Sequence, residues 1–241
     1  MNKQILAFAL IGLFIAGCSS KEDPDVISLK TRGKILNYKD EYQIEAKSKS
    51  EITYKSDNEY HASVSESGLV TAGFVGNGNI SLTNKSGDIQ NVTIFVEPKY
   101  TTFPTPFLEF GTSMADIIAK FGAPDVQNSV AIGYEGYSSK APRISYSFDS
   151  DGKLDLVAVW VKTAYSSELG SYMSERYMFA MEEDGAFLFV NGLSAGTSTM
   201  AVALTLYDIN YWFAIYMPNI VSSDKIAPKV KNIINKMSSL K

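Results

Sequence analysis

The stretch ITYKSDNEYHASVSESGLVTAGFVGNGNISLT, residues 52–83, decides the fold of the N-terminal part of this chain. Apolar and polar residues alternate in its ordered runs, so that Ile52 and Tyr54 lie on the same side of one run. Alternation with period two is typical of half-buried strands. Turn-forming residues separate the runs at 56–58, 66–68 and 76–78. The alternation continues outward to Tyr42, Ile44 and Ala46 and to Val92, Ile94 and Val96. We therefore expect residues 26–97 to form a small β-sandwich.

This stretch resembles the core of a group 2 bacterial Ig-like domain. The residues that carry the resemblance form a serine-Asx turn, a Ser-x-x-Gly-x-Val-Thr-Ala hairpin and a glycine-rich turn: Ser56, Asp57, Asn58, Val64, Ser65, Gly68, Val70, Thr71, Ala72, Gly73 and Gly78. The segment before Ile52 departs from the family pattern. The resemblance implies a spacer or adhesive module at a bacterial surface, and no catalysis. We expect a positive φ at Gly68, where only glycine is tolerated well.

His61, the single histidine, lies in this hairpin region. A metal ligand there would need companions at ligand spacing, and the neighbouring sequence provides none. A partly exposed strand residue is therefore the favoured interpretation.

Residues 1–17, MNKQILAFALIGLFIAG, have the organisation of a secretory signal peptide. Lys3 precedes a short apolar run, and Ala16 and Gly17 provide a small-residue exit. The apolar run, about a dozen residues, is too short for a permanent membrane-spanning helix. We expect this leader to be removed.

The junction Ile15-Ala16-Gly17-Cys18 resembles the bacterial lipobox. The resemblance implies cleavage between Gly17 and Cys18 and attachment of lipid to the Cys18 thiol, with acyl chains such as palmitate as the membrane anchor. Two or three acyl chains are needed for a lasting anchor. A catalytic or redox role for this thiol lacks a nearby base or a second cysteine. A buried structural thiol is the remaining alternative, and the hydrophobic leader before it argues against that.

Residues 18–25 are charged and contain Pro24, which predicts a flexible tether. Lys21 followed by acids also resembles the surface-export signal of lipoproteins from Bacteroidetes-type bacteria. The resemblance implies an outer-membrane location that could extend to the cell surface.

Composition excludes some partners. The chain has 22 basic and 26 acidic residues, with a net charge of −4. This balance argues against nucleic acid, which calls for a basic stripe. With one cysteine, the fold has no intrachain disulfide to stabilise it.

Three prolines mark residues 98–107 as an extended linker, and residues 108–241 are predicted to form a second domain. Its first helix begins after Thr112 or Ser113 and ends at Gly122. Strands are expected at 131–137, 143–148 and 154–162. A second helix at 166–181 is followed by strands at 186–190, 199–207 and 211–217, and by a terminal helix from about Ser223 with Ile226, Val230, Ile233, Ile234 and Met237 in its apolar stripe. The repeated order leaves an internal duplication open.

Gly111, Thr112, Phe121, Gly122 and Pro124, with the hairpin FDSDGKL, resemble the β-lactamase-inhibitor-like fold and the small lipoproteins of the β-barrel assembly machinery. The resemblance implies an α+β domain. Fold alone does not transfer function.

Three groups of polar and aromatic residues are candidate sites. Asp149, Asp151 and Asp155 could suggest calcium, but Asp151-Gly152 between two strands favours a hairpin turn. Glu182, Glu183 and Asp184 could pair as acid and base, but consecutive carboxylates where a helix ends favour a solvated face. Tyr207, Tyr211, Trp212 and Tyr216 form a candidate binding surface for sugar or protein, with core packing as the favoured alternative.

The sequence thus predicts a multidomain protein, an all-β Ig-like sandwich followed by an α+β domain. We expect a lipid-anchored, non-enzymatic binding or scaffold protein of the outer membrane that engages a protein partner through its C-terminal domain. Glycan binding in a carbohydrate uptake system is the alternative. No catalytic residue is predicted, because no nucleophile-base pair could be identified. No cofactor or metal is predicted either.

Overall fold

The computed structural model describes residues 23–218, apart from the side chain of Ala195. The N-terminal part is a sandwich of short strands. Their bounds are β1 Ser28–Leu29, β2 Gly33–Asn37, β3 Glu41–Gln43, β4 Ala46–Lys47, β5 Ile52–Ser56, β6 Ala62–Val64, β7 Leu69–Ala72, β8 Gly76–Asn84 and β9 Ile89–Glu97. A four-stranded sheet of order β2-β9-β8-β5 faces a three-stranded sheet of order β3-β7-β6, and β1 pairs with β4. Only β2 and β9 pair in parallel among these strands.

The sandwich core contains the side chains that the alternation placed on one face. Ile80, Leu82, Val92 and Ile94 are completely buried, and Tyr42, Ala46, Ile52 and Tyr54 pack against them. Gly68 has φ +81°, as expected for the hairpin turn. The sandwich predicted for this region is therefore confirmed.

The C-terminal domain is built on one antiparallel sheet of eight strands. Their bounds are β10 Val126–Gln127, β11 Ala131–Glu135, β12 Arg143–Phe148, β13 Leu154–Lys162, β14 Met178–Glu183, β15 Ala186–Val190, β16 Met200–Leu206 and β17 Tyr211–Pro218. The order across the sheet is β10-β11-β12-β13-β17-β16-β15-β14. The α+β prediction for this domain is wrong, because the described part is nearly all β. Its two α-helices are α1, Met114–Phe121, and α2, Ser166–Ser174.

Helix α1 begins and ends where the sequence predicted. The Ser113 side chain accepts a hydrogen bond from the Asp116 backbone N–H, and Gly122 ends the helix with φ 88°. Ile117 points into the core beneath the sheet.

Helix α2 is shorter than predicted. It ends at Ser174, and Met178–Glu183 forms strand β14, which pairs with β15. Asp184 and Gly185 both have positive φ, 51° and 74°, and close this hairpin. Asp-Gly is a strong hairpin signal, but the helical spacing of Tyr172, Met173, Arg176 and Tyr177 concealed it. The acidic run 182–184 therefore belongs to a strand and its turn, and its interpretation as a helix exit is wrong.

The two halves of the domain share one element order. Each half is a helix followed by four antiparallel strands, and the last strands of the halves, β13 and β17, pair with each other at the centre of the sheet. Strand β10, only two residues long, was not predicted.

The segment 98–107 has no helix or strand and packs on the C-terminal domain. Phe103 is buried against the ring of Tyr172, with 4.4 Å between ring centroids. The Tyr137 hydroxyl donates a hydrogen bond to the Pro104 carbonyl oxygen at 2.6 Å. The apolar side chain of Phe103 explains why this proline-rich segment is docked along the domain.

Several predictions fall outside the described residues: the leader 1–17, the lipid site Cys18, most of the tether and the terminal helix from Ser223. Within the described range, no helix is long and apolar enough to cross a membrane.

Candidate functional site: the interdomain joint and the free edge of the sheet

The four aromatic residues predicted as one binding surface lie on opposite faces of the eight-stranded sheet. Tyr207 and Tyr211 pack around Trp160, at ring-centroid distances of 4.9 and 6.0 Å. Trp212 and Tyr216 belong to the other face, on which the helices pack. Trp212 and Tyr216 follow Tyr211 at odd spacings, and residues at odd spacing in a strand point to opposite faces.

Tyr216 is completely buried and cannot contact a partner. Burial, reinforced by the neighbouring Tyr177 and Tyr172, raises the pKa of the Tyr216 phenol well above its ordinary value. Trp212 is partly buried, and its indole N–H donates to the Ser166 hydroxyl at 2.8 Å. Core packing thus accounts for Tyr216, and the four residues do not form one surface.

Two other sequence candidates have structural roles. The Asp149 carboxylate accepts hydrogen bonds from the backbone N–H groups of Asp151 and Lys153, each at 2.9 Å, and closes the β12–β13 hairpin. His61 is half-buried, with Nδ1 3.0 Å from the Phe74 carbonyl oxygen. Across residues 23–218, no group of three or more metal-ligating side chains is present.

The sandwich and the C-terminal domain meet at the residues that follow helix α2. The Glu175 side chain is 3% exposed, and its carboxylate accepts hydrogen bonds from the backbone N–H groups of Lys99 at 2.9 Å and Tyr100 at 3.1 Å. It also pairs with the guanidinium of Arg176. The Glu175 carbonyl oxygen accepts a hydrogen bond from the Val75 N–H of the sandwich at 2.8 Å. One residue therefore holds both the segment 98–107 and the sandwich.

Arg176 and Tyr60 complete this joint. The guanidinium lies 3.7 Å from the ring centroid of Tyr172 and donates to the Tyr100 carbonyl oxygen at 2.9 Å. The Tyr60 hydroxyl donates to the Arg176 carbonyl oxygen at 2.7 Å. The Tyr60 ring stacks on Phe74 at 4.5 Å, so the contact is anchored within the sandwich.

A cleft of 620 Å³ opens beside the joint. The sandwich contributes His61 and the turn 57–60, and the C-terminal domain contributes Tyr177, Leu193 and Met200. Both polar and apolar side chains line the cleft, Asp57, His61 and Asn191 together with Leu193 and Met200. The cleft exists only because the two domains are held together.

Strand β14 leads away from this cleft along the edge of the sheet. It pairs only with β15 among the described strands, so its outer backbone edge faces away from the sheet. Phe179 is 53% exposed and Met181 is 40% exposed. The pairing register shifts between these two residues, which is a β-bulge. The opposite edge, β10, is only two residues long.

A second depression, of 610 Å³, is lined by Ser167, Glu168 and Ser171 of helix α2. Tyr100 and Tyr165 line it together with the ion pair between Lys140 and Glu168. The Lys140 ammonium, hydrogen-bonded to the carboxylate, lowers the pKa of Glu168 below its ordinary value. Aromatic rings beside a fixed charged pair could contact a sugar.

Sequence reasoning missed both the joint and the edge strand. The sequence pattern places Glu175 and Arg176 in a longer helix, and their partners at residues 60, 75 and 99–100 are distant in the chain. The Asp184-Gly185 turn was the one local signal that could have identified β14.

Comparison with known proteins identifies the N-terminal part. The model of the bacterial Ig-like domain, group 2, matches residues 30–94. A crystal structure of an intimin mutant from EHEC O157:H7 is 13% identical and covers 70% of this chain and 84% of that chain, with a TM-score of 0.26. A TM-score this low does not establish a shared overall fold. None of the curated proteins compared with the chain matches it. The sandwich is therefore a bacterial Ig-like domain of group 2 over residues 30–94, which is compatible with a non-enzymatic binding or scaffold role at the cell envelope.

Proposed function

We propose that this protein is a lipid-anchored binding or scaffold protein of the cell envelope that engages a protein partner through its C-terminal domain. The Ig-like domain would be the spacer between the membrane and the binding domain. The single observation that supports a protein partner is the exposed edge strand β14.

An edge strand offers a row of backbone N–H and C=O groups with which another chain can pair. Strand addition gives affinity through backbone hydrogen bonds and specificity through alternate side chains. In β14, Phe179 and Met181 are the exposed apolar side chains, while Glu182 and Glu183 add negative charge. This edge therefore fits an extended segment with apolar residues and basic residues near one end.

The experiment is site-specific photo-crosslinking in intact cells. A photoreactive residue at Phe179 should crosslink to one reproducible envelope protein. The matched control is Lys55, which is exposed on β5, the edge strand of the Ig-like domain. Ala180 is the unpaired residue of the bulge between Phe179 and Met181. Ala180→Pro removes its backbone N–H and should abolish the Phe179 crosslink.

Crosslinking at Phe179 that does not exceed crosslinking at Lys55 would contradict binding at β14. A crosslink that persists unchanged with Ala180→Pro would show that the partner contacts the side chain without strand addition.

The lipid anchor is proposed from the lipobox resemblance at Cys18. Cys18→Ser should leave both domains folded and release the protein from the membrane fraction. Sedimentation of Cys18→Ser with membranes to the same extent as the parent protein would contradict the anchor. Protease treatment of intact cells then tests the surface: digestion supports exposure, and protection until the outer membrane is breached contradicts it.

Glycan binding is the second candidate, supported by the depression between Tyr100 and Tyr165. Binding on a glycan array should be lost in Tyr165→Ala, which removes one aromatic wall. Phe179→Ala, which removes an exposed aromatic ring outside this depression, is the matched control. An array with no bound glycan would contradict this candidate.

A further inference from the structure

The face of the eight-stranded sheet opposite helices α1 and α2 is apolar and buried. Both helices point their buried side chains, Ile117, Leu169 and Met173 among them, into the first face. On the opposite face, the exposed fractions are between 0 and 6% for Leu156, Ala158, Leu188, Ala203, Ile215 and Met217.

A row of mostly small side chains crosses this second face. The strand register places Ser145 beside Ala158, Ala158 beside Ile215, Ile215 beside Ala203, and Ala203 beside Leu188. The row therefore runs across β12, β13, β17, β16 and β15 and forms a shallow trough. Apolar layers of this kind require a second layer on top of them.

Within residues 23–218, no helix supplies that layer. The apolar cluster on this face consists of side chains from the sheet and its hairpin ends, with Met178, Tyr207 and Tyr211 at its margin. The core of the Ig-like domain is a separate cluster. Side chains as small as Ala158 and Ala203 cannot bury one another across a sheet, so their burial calls for a covering segment.

The chain that follows β17 has the composition of such a cover. Strand β17 is an interior strand of the sheet, and it ends at Pro218. Residues 219–241 follow it directly. Ile226, Val230, Ile233, Ile234 and Met237 recur at helical spacing, while Lys229, Lys231, Asn232, Asn235 and Lys236 occupy the other positions.

We propose that residues 223–241 form an amphipathic helix that packs its apolar stripe into this trough and makes the third layer of the C-terminal domain. The dimensions agree. Pro228 fits only the first turn of a helix, and the roughly 14 residues from there to the end of the segment span about 21 Å. The four steps between the five strands, each about 4.8 Å, cover about 19 Å. The lysines remain in solvent, where their charge is not desolvated.

The test measures thiol reactivity on the two faces of the sheet. Cys18→Ser removes the single native cysteine, and Ala203→Cys then places one thiol in the trough. In the full chain this thiol should react as slowly as one at Ala214→Cys, which is buried under the helices. Deletion of residues 219–241 should accelerate the reaction at Ala203→Cys by roughly tenfold or more, while Ala214→Cys remains protected.

A second pair of variants keeps the test decisive if the shortened chain fails to fold. In the full chain, Ile233→Asp places a charge in the apolar stripe and should expose the thiol at Ala203→Cys. Lys231→Asp, on the polar side, should leave it protected.

Three results would overturn the proposal. A fast reaction at Ala203→Cys in the full chain would show that the face is open. Protection that persists in a folded, shortened monomer would show that residues 219–241 are not the cover. Protection in the full chain that disappears on dilution of a dimer would assign the face to a second copy.

Discussion

At the scale of single residues, the Ig-like domain contains a position, Gly73, at which the backbone packs too closely for any side chain. Gly73 ends the hairpin of β6 and β7, and a Cβ built on it would lie 2.3 Å from the Tyr60 carbonyl oxygen. That oxygen accepts the Phe74 N–H at 2.8 Å, so the backbone at residue 60 and the backbone at residues 73–74 cannot separate without breaking this hydrogen bond. The glycine in the Val-Thr-Ala-Gly pattern is therefore explained by close backbone approach.

We expect Gly73→Ala to lower the free energy of unfolding of the Ig-like domain by about 2–3 kcal/mol, because the added methyl overlaps a backbone atom. Urea denaturation of the full chain measures the loss. Gly33→Ala is the matched control, since its Cβ would meet its nearest neighbour at an ordinary 3.6 Å. A loss at Gly73→Ala no larger than that at Gly33→Ala would contradict the steric explanation.

The buried tyrosines predict a loss of stability in alkali. Burial raises the pKa of Tyr216 and Tyr177 above the ordinary value of 10.0. Above about pH 10 the unfolded chain loses these protons while the folded chain keeps them, so the folded state binds more protons and the free energy of unfolding falls with pH. Below that pH both states are protonated, and the groups make no pH-dependent contribution.

Tyr216→Phe should make this alkaline fall shallower by about 1.4 kcal/mol per pH unit, the slope for one proton. Urea denaturation at several pH values above 10, with the parent protein in parallel, measures the slope. An unchanged slope would mean that Tyr216 ionises in the folded state.

At the scale of elements, the end of helix α2 organises the joint. Glu175 follows the last helical residue, and its carboxylate holds the N–H groups of Lys99 and Tyr100 while its carbonyl oxygen holds Val75. The Glu175 carboxylate is almost completely buried, and hydrogen bonds and the Arg176 guanidinium compensate its charge. A buried carboxylate is tolerated only when it is compensated in this way.

Glu175→Ala should destabilise the C-terminal domain by about 3 kcal/mol, because it leaves two backbone donors and the guanidinium of Arg176 without their acceptor. Chemical denaturation measures the change, and limited proteolysis should show earlier cleavage near Lys99. Glu182→Ala, an exposed carboxylate on β14, should change stability by less than about 0.5 kcal/mol. Equal effects of the two substitutions would contradict the role of Glu175.

At the scale of the whole molecule, the joint sets the angle between the two domains. The Tyr60 hydroxyl is a side-chain link across it, and the cleft of 620 Å³ beside it is walled by both domains. A joint held in this way limits the orientations that the edge strand β14 can take relative to the Ig-like domain.

Tyr60→Phe removes only the hydroxyl and should broaden the distribution of distances between labels placed on the two domains. The lost hydrogen bond contributes about 1 kcal/mol, enough to raise the open population several-fold, while each domain keeps its own unfolding midpoint. Single-molecule energy transfer measures the distribution, with Tyr42→Phe, within the Ig-like domain, as the control. A distribution as narrow as that of the parent would show that the backbone contact from Val75 suffices.

The sequence by itself determined the elements whose signals are local. The sandwich followed from alternation and turn residues. Helix α1 followed from a cap at Thr112 or Ser113 and an end at Gly122, and the β12–β13 hairpin followed from Asp151-Gly152. These features depend on backbone preferences and on hydrogen bonds between residues close in the chain, so they can be read from short windows.

Only the tertiary structure decided which face a strand buries and which distant residues meet. It placed Tyr211 and Trp212 on opposite faces of the sheet, turned the predicted end of a long helix into strand β14, and joined Glu175 to residues 75, 99 and 100. Each outcome depends on contacts between segments far apart in sequence. These contacts are stabilised by burial and by hydrogen-bond partners that a short sequence window does not contain. The Ig-like domain was therefore readable from its residues, whereas the joint and the free edge were not.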